Sequence, residues 1–508
     1  MKKIKKLSKI IPLISMIVFI STGCAKTSDT EPHPTRMESE QPLETETKST
    51  LEPTASDVED EEKDENTPEQ HDHLKWRYDR KNKRLTISGI GDMREDTEDD
   101  EGLVGYSPDY FYPKHTNFSK IKNNVKEIVV KPGVTSIASE AFCDFYQVEK
   151  IILPDTIQKI GDKVFWYCQS LKEIVIPKQV KTIGNNCFCL CKSLQKITIG
   201  KSLRKIGEGA FVCCPNIRQV RVSPENKYLM AKNGGLYEKR EKTLYLHFGK
   251  SERVIIEKDT KHIAACAIQW NEKVKRITIP ASVLTINGGA FCYCSNLKNI
   301  VFPKLSRLKE IMHYSCFDGE DAYGYGCFES CKKLQEFIAP ESLEQMSDGH
   351  FYGCDSLKRI YLGKSFKGVP GETPQTPEEY QHYQAYKYTE NSPALEEYIV
   401  SKDNKIFCSK DGVLYDKKLE TLFVYPTKKK STEYTIPASV KYVIDIWDKR
   451  SKLQKLIVPG KNTEFRWMPK NVKQLTIYGR KDSAAYRMAK KRNIRFKSIP
   501  QTATFPPY

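Results

Sequence analysis

A 23-residue step runs through most of this 508-residue chain and limits its fold more than any other feature. Pro154, Pro177 and Gly200 keep the step, as do Gly161, Gly184 and Gly207, Phe165, Phe188 and Phe211, and Cys168, Cys191 and Cys214. Leu171, Leu194 and Ile217 follow, then Ile174, Ile197 and Val220. The pattern extends back through Val134, Ile137 and Phe142, and forward through units that open at Pro280 and Pro340. A unit this short cannot close a core alone, so the units must stack and bury a continuous one. Each unit ends in L-x-x-I-x-I, whose period-two alternation predicts a short strand with its apolar side inward. The expected fold is a repeat solenoid, mainly β, with parallel strands about 4.8 Å apart along its axis.

The period falls in the leucine-rich-repeat range, and these residues resemble the BspA-like leucine-rich repeats of bacterial surface proteins. The resemblance covers most of the chain beyond residue 73. It implies a leucine-rich-repeat array with β-hairpin interruptions and a helical C-terminal cap. Trp76 and Leu85-Thr86-Ile87-Ser88-Gly89 look like the β module that opens such arrays, here 73–125. Repeats are expected over 126–221 and 257–369, the second run with an insertion near 304–326. Val222-Ser223-Pro224-x-Asn226 with Gly234 to Tyr237 resembles the family's hairpin interruption, placed at 222–256. It recurs 178 residues later at Asn404, Gly412 and Tyr415, which places a second interruption at 398–430. A polar loop insertion at 370–397 precedes it, and degenerate repeats follow at 431–478. Ser483-Ala484-Ala485-Tyr486 falls in the expected cap, 479–508. One unit departs from the pattern, with Glu257, Ile268 and Asn271 in place of Pro, Phe and Cys.

Lys2, Lys3, Lys5, Lys6 and Lys9 precede 11 uncharged, mostly apolar residues, Ile10 to Ile20. That is too few to span a bilayer, which takes about 20 residues in a helix, so residues 1–23 read as a secretory signal peptide. Ser21-Thr22-Gly23-Cys24 resembles a bacterial lipobox, with Ser21 where most have Leu. The resemblance implies that Cys24 is lipidated and anchors the protein on the extracellular face of the cell membrane; without lipidation the protein is secreted. Residues 24–72 form an acidic tether, with 16 acidic against 4 basic residues over Ala25 to Asp72. Such a segment cannot bury enough apolar surface to offset its ordering entropy and is expected to be disordered.

Of the 16 cysteines, Cys168, Cys191, Cys214, Cys294, Cys331 and Cys354 share one repeat position. That predicts a ladder of buried small side chains at a turn. Cys187, Cys189 and Cys191, or Cys292 and Cys294, suggest zinc, but C-x-C on an alternating segment does not supply four tetrahedral ligands. No metal or cofactor is expected. Disulfides are open to an exported chain; the 15 cysteines beyond Cys24 leave at least one unpaired. H-E-x-x-H, G-x-S-x-G, the phosphate-binding loop and G-x-G-x-x-G do not occur, so no catalytic residue is expected.

The whole chain carries +17, but the basic N-terminus and the tether's −12 leave residues 73–508 at +24. Outward strand positions supply a candidate binding face: Lys172, Arg218, Lys275, Lys298 and Lys358 after the repeat's Leu, and Arg221 and Tyr361 before its last apolar residue. A largely basic row points to an extracellular protein or anionic glycan, from host matrix or bacterial envelope. The competing reading is that these charges only solvate the array and discourage edge pairing. Nucleic acid is not an expected partner of an exported chain, and a monomer is expected. The resemblance implies an adhesin or macromolecule-binding scaffold; a structural envelope protein and an extracellular hydrolase are the other readings. If Cys24 carries the anchor, Cys24→Ser moves the protein from the membrane fraction to the medium. Equal membrane retention of both proteins on fractionation rules the lipobox reading out.

Overall fold

The structure, a computed structural model, describes residues 74–93, 118, 121–312, 314–315, 324–347, 349–368, 392–466 and 468–500. The signal peptide, Cys24, the tether, most of 370–397, part of the insertion near 304–326 and the end of the cap lie outside them.

Each repeat contributes one longer strand and one very short one, and these stack into two sets of parallel ladders. In the first set, Ile174, Ile197 and Val220 pair in register across Glu173–Ile176, Lys196–Ile199 and Gln219–Val222. In the second, Ile160, Ile183 and Ile206 pair across Lys159–Ile160, Thr182–Ile183 and Lys205–Ile206. Alternation drives the register: a one-residue slip would turn every buried Ile to solvent. The Ile-Gly step has a steric cause. At Gly184 and Gly207 an added Cβ would lie 2.4 and 2.3 Å from the carbonyl carbon of the glycine one rung earlier. A side chain there would push the rungs apart.

The third arm of each rung is a chain of turns with two left-handed residues four apart. Lys163 and Tyr167 have φ 53° and 62°, and Asn186 and Leu190 have 52° and 64°. Gly209 and Cys213 follow at 66° and 56°. For a residue other than glycine this conformation costs about 1–2 kcal/mol. Hydrogen bonds to the next rung offset it: Lys163, Phe165 and Tyr167 donate their N–H groups to Asn185, Cys187 and Cys189 carbonyls at 2.8–2.9 Å. The Phe side chains stack inside this arm, with Phe142, Phe165, Phe188 and Phe211 at successive centroid spacings of 6.0, 5.2 and 5.7 Å.

The periodic cysteines have a hydrogen-bonding role beyond filling space. The Cys168, Cys191 and Cys214 thiols donate to the carbonyls of Phe142, Phe165 and Phe188 at 3.4, 3.1 and 3.0 Å. Cys294, Cys331 and Cys354 do the same to Ile268, Phe291 and Phe328. Where cysteine is missing, another donor replaces it. Ser392 Oγ donates to the Phe-position carbonyl of the preceding rung, Phe351 O, at 3.1 Å, whereas Asn271 Nδ2, beside the first partition, donates to a different, part-buried carbonyl, Gly249 O, at 2.9 Å. The position therefore selects a small donor that satisfies a buried carbonyl of the preceding rung. All 14 described cysteines are free thiols. Burial pushes those of the ladder up, Cys294 to about 12.

Two hairpins cut the core into three parts. The first, Leu229–Lys232 with Gly235–Glu238, turns at Asn233 and Gly234, both left-handed, as the right-handed twist of the strands favours. A third strand, Thr243–His247, pairs with it and then runs parallel to His262–Ile263 of the next repeat. The sheet is buried on both faces: Leu236 and Leu246 pack into the core before it, Tyr237 and Leu244 into the core after it. Phe407–Lys410, Val413–Asp416 and Thr421–Val424 repeat the arrangement, with Leu414 and Phe423 on one side and Tyr415 and Leu422 on the other. One asparagine starts each partition. Asn226 donates to Gly200 and Leu203 carbonyls at 2.8 and 3.0 Å and accepts from Tyr228 and Leu229 N–H. Asn404 makes the same four bonds to Gly363, Phe366, Ile406 and Phe407. Within the span 222–256, Arg253–Ile255 already belongs to the repeat that follows, pairing with Arg276–Thr278.

Beyond the second partition the units shorten, yet the ladder continues from Glu433–Thr435 through Lys455–Val458 to Thr476–Gly479. The cap is a helix, Ala484–Arg492, followed by a strand, Arg495–Ser498. Ser483 Oγ accepts from Tyr486 N–H at 3.2 Å and starts the helix. The strand pairs with Thr476–Gly479, and Arg495 and Lys497 on it discourage a further strand from adding. The cap thus has the expected helix, with a strand after it.

Phe188 is fully buried between two stacked neighbours. Phe188→Ala is expected to cost about 3–5 kcal/mol, read as a drop in denaturation midpoint; an unchanged midpoint would contradict the packing. His247 lies inside the first partition with Nδ1 unpartnered among the described residues. Burial, with Lys250 adding to it, pushes its pKa down from 6.5 to about 4. The unfolded state therefore binds the proton more tightly. This contribution is full above pH 6.5 and is lost as pH falls toward 4, about 2 kcal/mol between pH 7 and 5. His247→Gln should narrow the stability gap between those two pH values; an equal gap in both proteins would show that His247 does not titrate this way.

Candidate binding face

The outer side of the longer strands carries three parallel rows. The residue preceding each strand forms the first, the strand's first residue the second and its third residue the last. Lys172, Arg218, Lys275, Lys298 and Lys358 all lie in the first row and are exposed. Arg221 and Tyr361 lie in the third, Arg221 exposed and Tyr361 half-buried. The array thus aligns the residues singled out by spacing, but their surroundings differ.

Acidic residues occupy the same rows. Glu149 stands between Lys126 and Lys172, at 3.3 and 3.2 Å. Glu127 stands between Arg84 and Lys150, at 2.5 and 3.0 Å, and Glu173 faces Lys196 at 3.7 Å. The adjacent lysines hold Glu149 below the usual carboxylate range. Near the other end Arg359 joins Glu336 and Glu397. Charge alternates from rung to rung on these flanks, and Lys172 is neutralised. Lys275 is also paired, to Glu252 at 2.5 Å. The first row is less basic than its lysines suggest, because Glu149 and Glu252 occupy the same repeat position one rung before Lys172 and Lys275.

The middle strands differ. Arg218, Arg221 and Lys298 have no carboxylate within ion-pairing distance among the described residues. Neither have Arg253 and Arg276, second-row residues that the spacing argument did not single out, and they sit directly opposite each other on adjacent strands. Like charges in that relation destabilise a sheet pair. Lys250 links this region across the partition: its Nζ donates to Pro215 O at 3.3 Å. Burial and, among nearby charges, Arg218 push its pKa below the usual lysine range. Around Arg221, the guanidinium lies 3.0 Å from the Gln219 amide oxygen, with that amide oriented to accept.

The third row is largely apolar although it faces water. Val175, Ile255 and Ile338 are 58%, 65% and 53% exposed. No group of three or more His, Cys, Asp or Glu among the described residues could hold a metal ion.

A profile of the BspA type leucine rich repeat region matches the chain in six copies, over residues 114–232, 247–321 and 322–373. No curated protein sequence matches. Among solved structures, a leucine-rich repeat protein from Eubacterium ventriosum shares 20% identity, covering 68% of this chain and 98% of its own, with a TM-score of 0.42. A leucine rich cell surface protein from Faecalibacterium prausnitzii shares 18%, covering 66% and 96%, at 0.40. The pneumococcal vaccine antigen PcpA shares 16%, covering 85% and 98%, also at 0.40. With six matching copies set on a parallel-strand solenoid that steps by 23 residues, the repeats within 114–373 are BspA-type leucine-rich repeats.

Proposed function

We propose that this protein is displayed on the bacterial surface, held by a lipid at Cys24, and binds an anionic extracellular macromolecule as an adhesin does. The middle of the longer-strand face carries the reading. Arg218, Arg221, Arg253, Arg276 and Lys298 stand there without carboxylate partners among the described residues, whereas the flanking rungs pair their charges. Leaving like charges opposed on a sheet costs stability, and an anionic partner relieves it. Surface display rests on the basic and apolar N-terminus ending at Cys24 and on the BspA-type repeats. No helix among the described residues is long and apolar enough to cross a membrane.

The test is binding of the full chain to immobilised matrix proteins and purified envelope polymers at low and high salt. Binding should weaken as salt shortens the Debye length below its physiological value of about 8 Å. Arg218→Glu with Arg276→Glu should weaken it further, mainly through the association rate. Thermal stability should barely move, since exposed charges contribute about 0–1 kcal/mol each. A double variant that binds like the wild type at every salt concentration would remove this face from consideration.

A further inference from the structure

We infer that the partner of this face is an anionic polysaccharide, lying across the strands along the array axis. The inference rests on the reading of the middle strands as the binding face and concerns the chemistry of what binds there. Three features of Arg253–Ile255, Arg276–Thr278 and Asn299–Val301 support it. First, cations repeat by rung. Arg253 is opposed to Arg276, and Lys298 precedes the next strand, so each of the three rungs keeps one cation unpaired among the described residues, beside the Lys275–Glu252 pair. Neighbouring strands are about 4.8 Å apart, so the partner must present an anion at nearly every rung. A linear polymer with charge on each repeat unit does so, whereas a folded protein seldom lines up carboxylates at that interval. The rung spacing is also close to the length of one sugar ring in an extended polysaccharide.

Second, the guanidinium groups offer forked donors that match the oxygens of sulfate or carboxylate. Third, an apolar track runs beside the cations. Ile255, 65% exposed, is in register with Thr278 and Val301. Such a track has no use for a bare phosphate chain, but the C–H face of a sugar ring can lie on it while the ring's anionic groups reach the arginines and lysines. Apolar side chains beside an ordered row of cations thus distinguish a charged glycan from a polyphosphate.

Heparin serves as the probe, with desulfated heparin, inorganic polyphosphate and an acidic protein, α-lactalbumin, as comparators, all against the full chain. Heparin is expected to bind, with log affinity falling linearly in log salt at a slope of about 3–5, as release of counterions by a few contacts requires. Desulfated heparin should bind at least tenfold more weakly. Arg253→Gln with Arg276→Gln should lose at least tenfold in heparin affinity. Lys126→Gln with Lys172→Gln, which removes equal charge from the paired flank, should change it less than threefold. Ile255→Ser should weaken heparin at least threefold and leave polyphosphate unchanged. Melting curves confirm that each variant is folded.

Equal losses in the two double variants would overturn the inference, since net charge alone would then explain binding. So would polyphosphate binding as tightly as heparin with no effect of Ile255→Ser. If the acidic protein binds through Arg253 and Arg276 while heparin does not, the face remains a binding site and the polysaccharide is wrong. If none of the probes binds, both readings fall.

Discussion

Each rung leaves backbone groups that only the next rung can satisfy, and the structure depends on that need. On the turn arm, N–H groups at alternate positions donate to carbonyls one rung ahead, as Lys163, Phe165 and Tyr167 do to Asn185, Cys187 and Cys189. The carbonyls of Phe142, Phe165 and Phe188 are buried and take a donor from the cysteine of the following rung, while that of Phe211, before the first partition, takes Gln269 Nε2. A buried carbonyl left unpaired costs about 1–3 kcal/mol. The stack is therefore held by obligatory hydrogen bonds as well as by apolar burial. The replacement at Ser392 supports this account, since it keeps a donor to the equivalent carbonyl, Phe351 O.

The partitions change how the stack behaves. An uninterrupted solenoid has one continuous core, but here two three-stranded sheets stand inside it and divide it into three clusters. Each sheet must be apolar on both faces, which is why Gly235–Glu238 and Thr421–Val424 are buried at every position. Asn226 and Asn404 allow this, since each saturates four backbone groups where the chain leaves the repeat path. The first partition also buries His247, and that burial favours the neutral imidazole. In a repeat protein, stability is a sum of local and nearest-neighbour terms, so these junctions are the places where neighbouring blocks can respond separately to acid or mutation.

The partition also shapes the electrostatics. Before it, opposite charges alternate along the outer rows. On the first strands after it, Arg253 and Arg276 follow one another across adjacent strands, and paired charges return at Arg359 with Glu336 and Glu397. The +24 carried by residues 73–508 is thus not spread evenly over the array.

The sequence alone determined the stack. A 23-residue step in Ile, Gly, Phe and Cys leaves no other way to bury its apolar side chains, and alternation in L-x-x-I-x-I sets which side faces in. The 178-residue offset of Asn226 and Asn404 likewise showed that the same interruption occurs twice. Tertiary structure decided the rest. Left-handed backbone at Lys163, Tyr167 and Leu190 has no signature in those side chains, because bonds to the next rung impose it. The hydrogen-bonding role of the cysteines depends on a carbonyl 26 residues earlier in the chain. The basic residues could be enumerated from spacing, but whether a lysine is neutralised depends on what the adjacent rung places beside it. Lys172 meets Glu149, whereas Arg276 meets Arg253. That difference arises only when residues 23 positions apart are brought within a strand's width of one another.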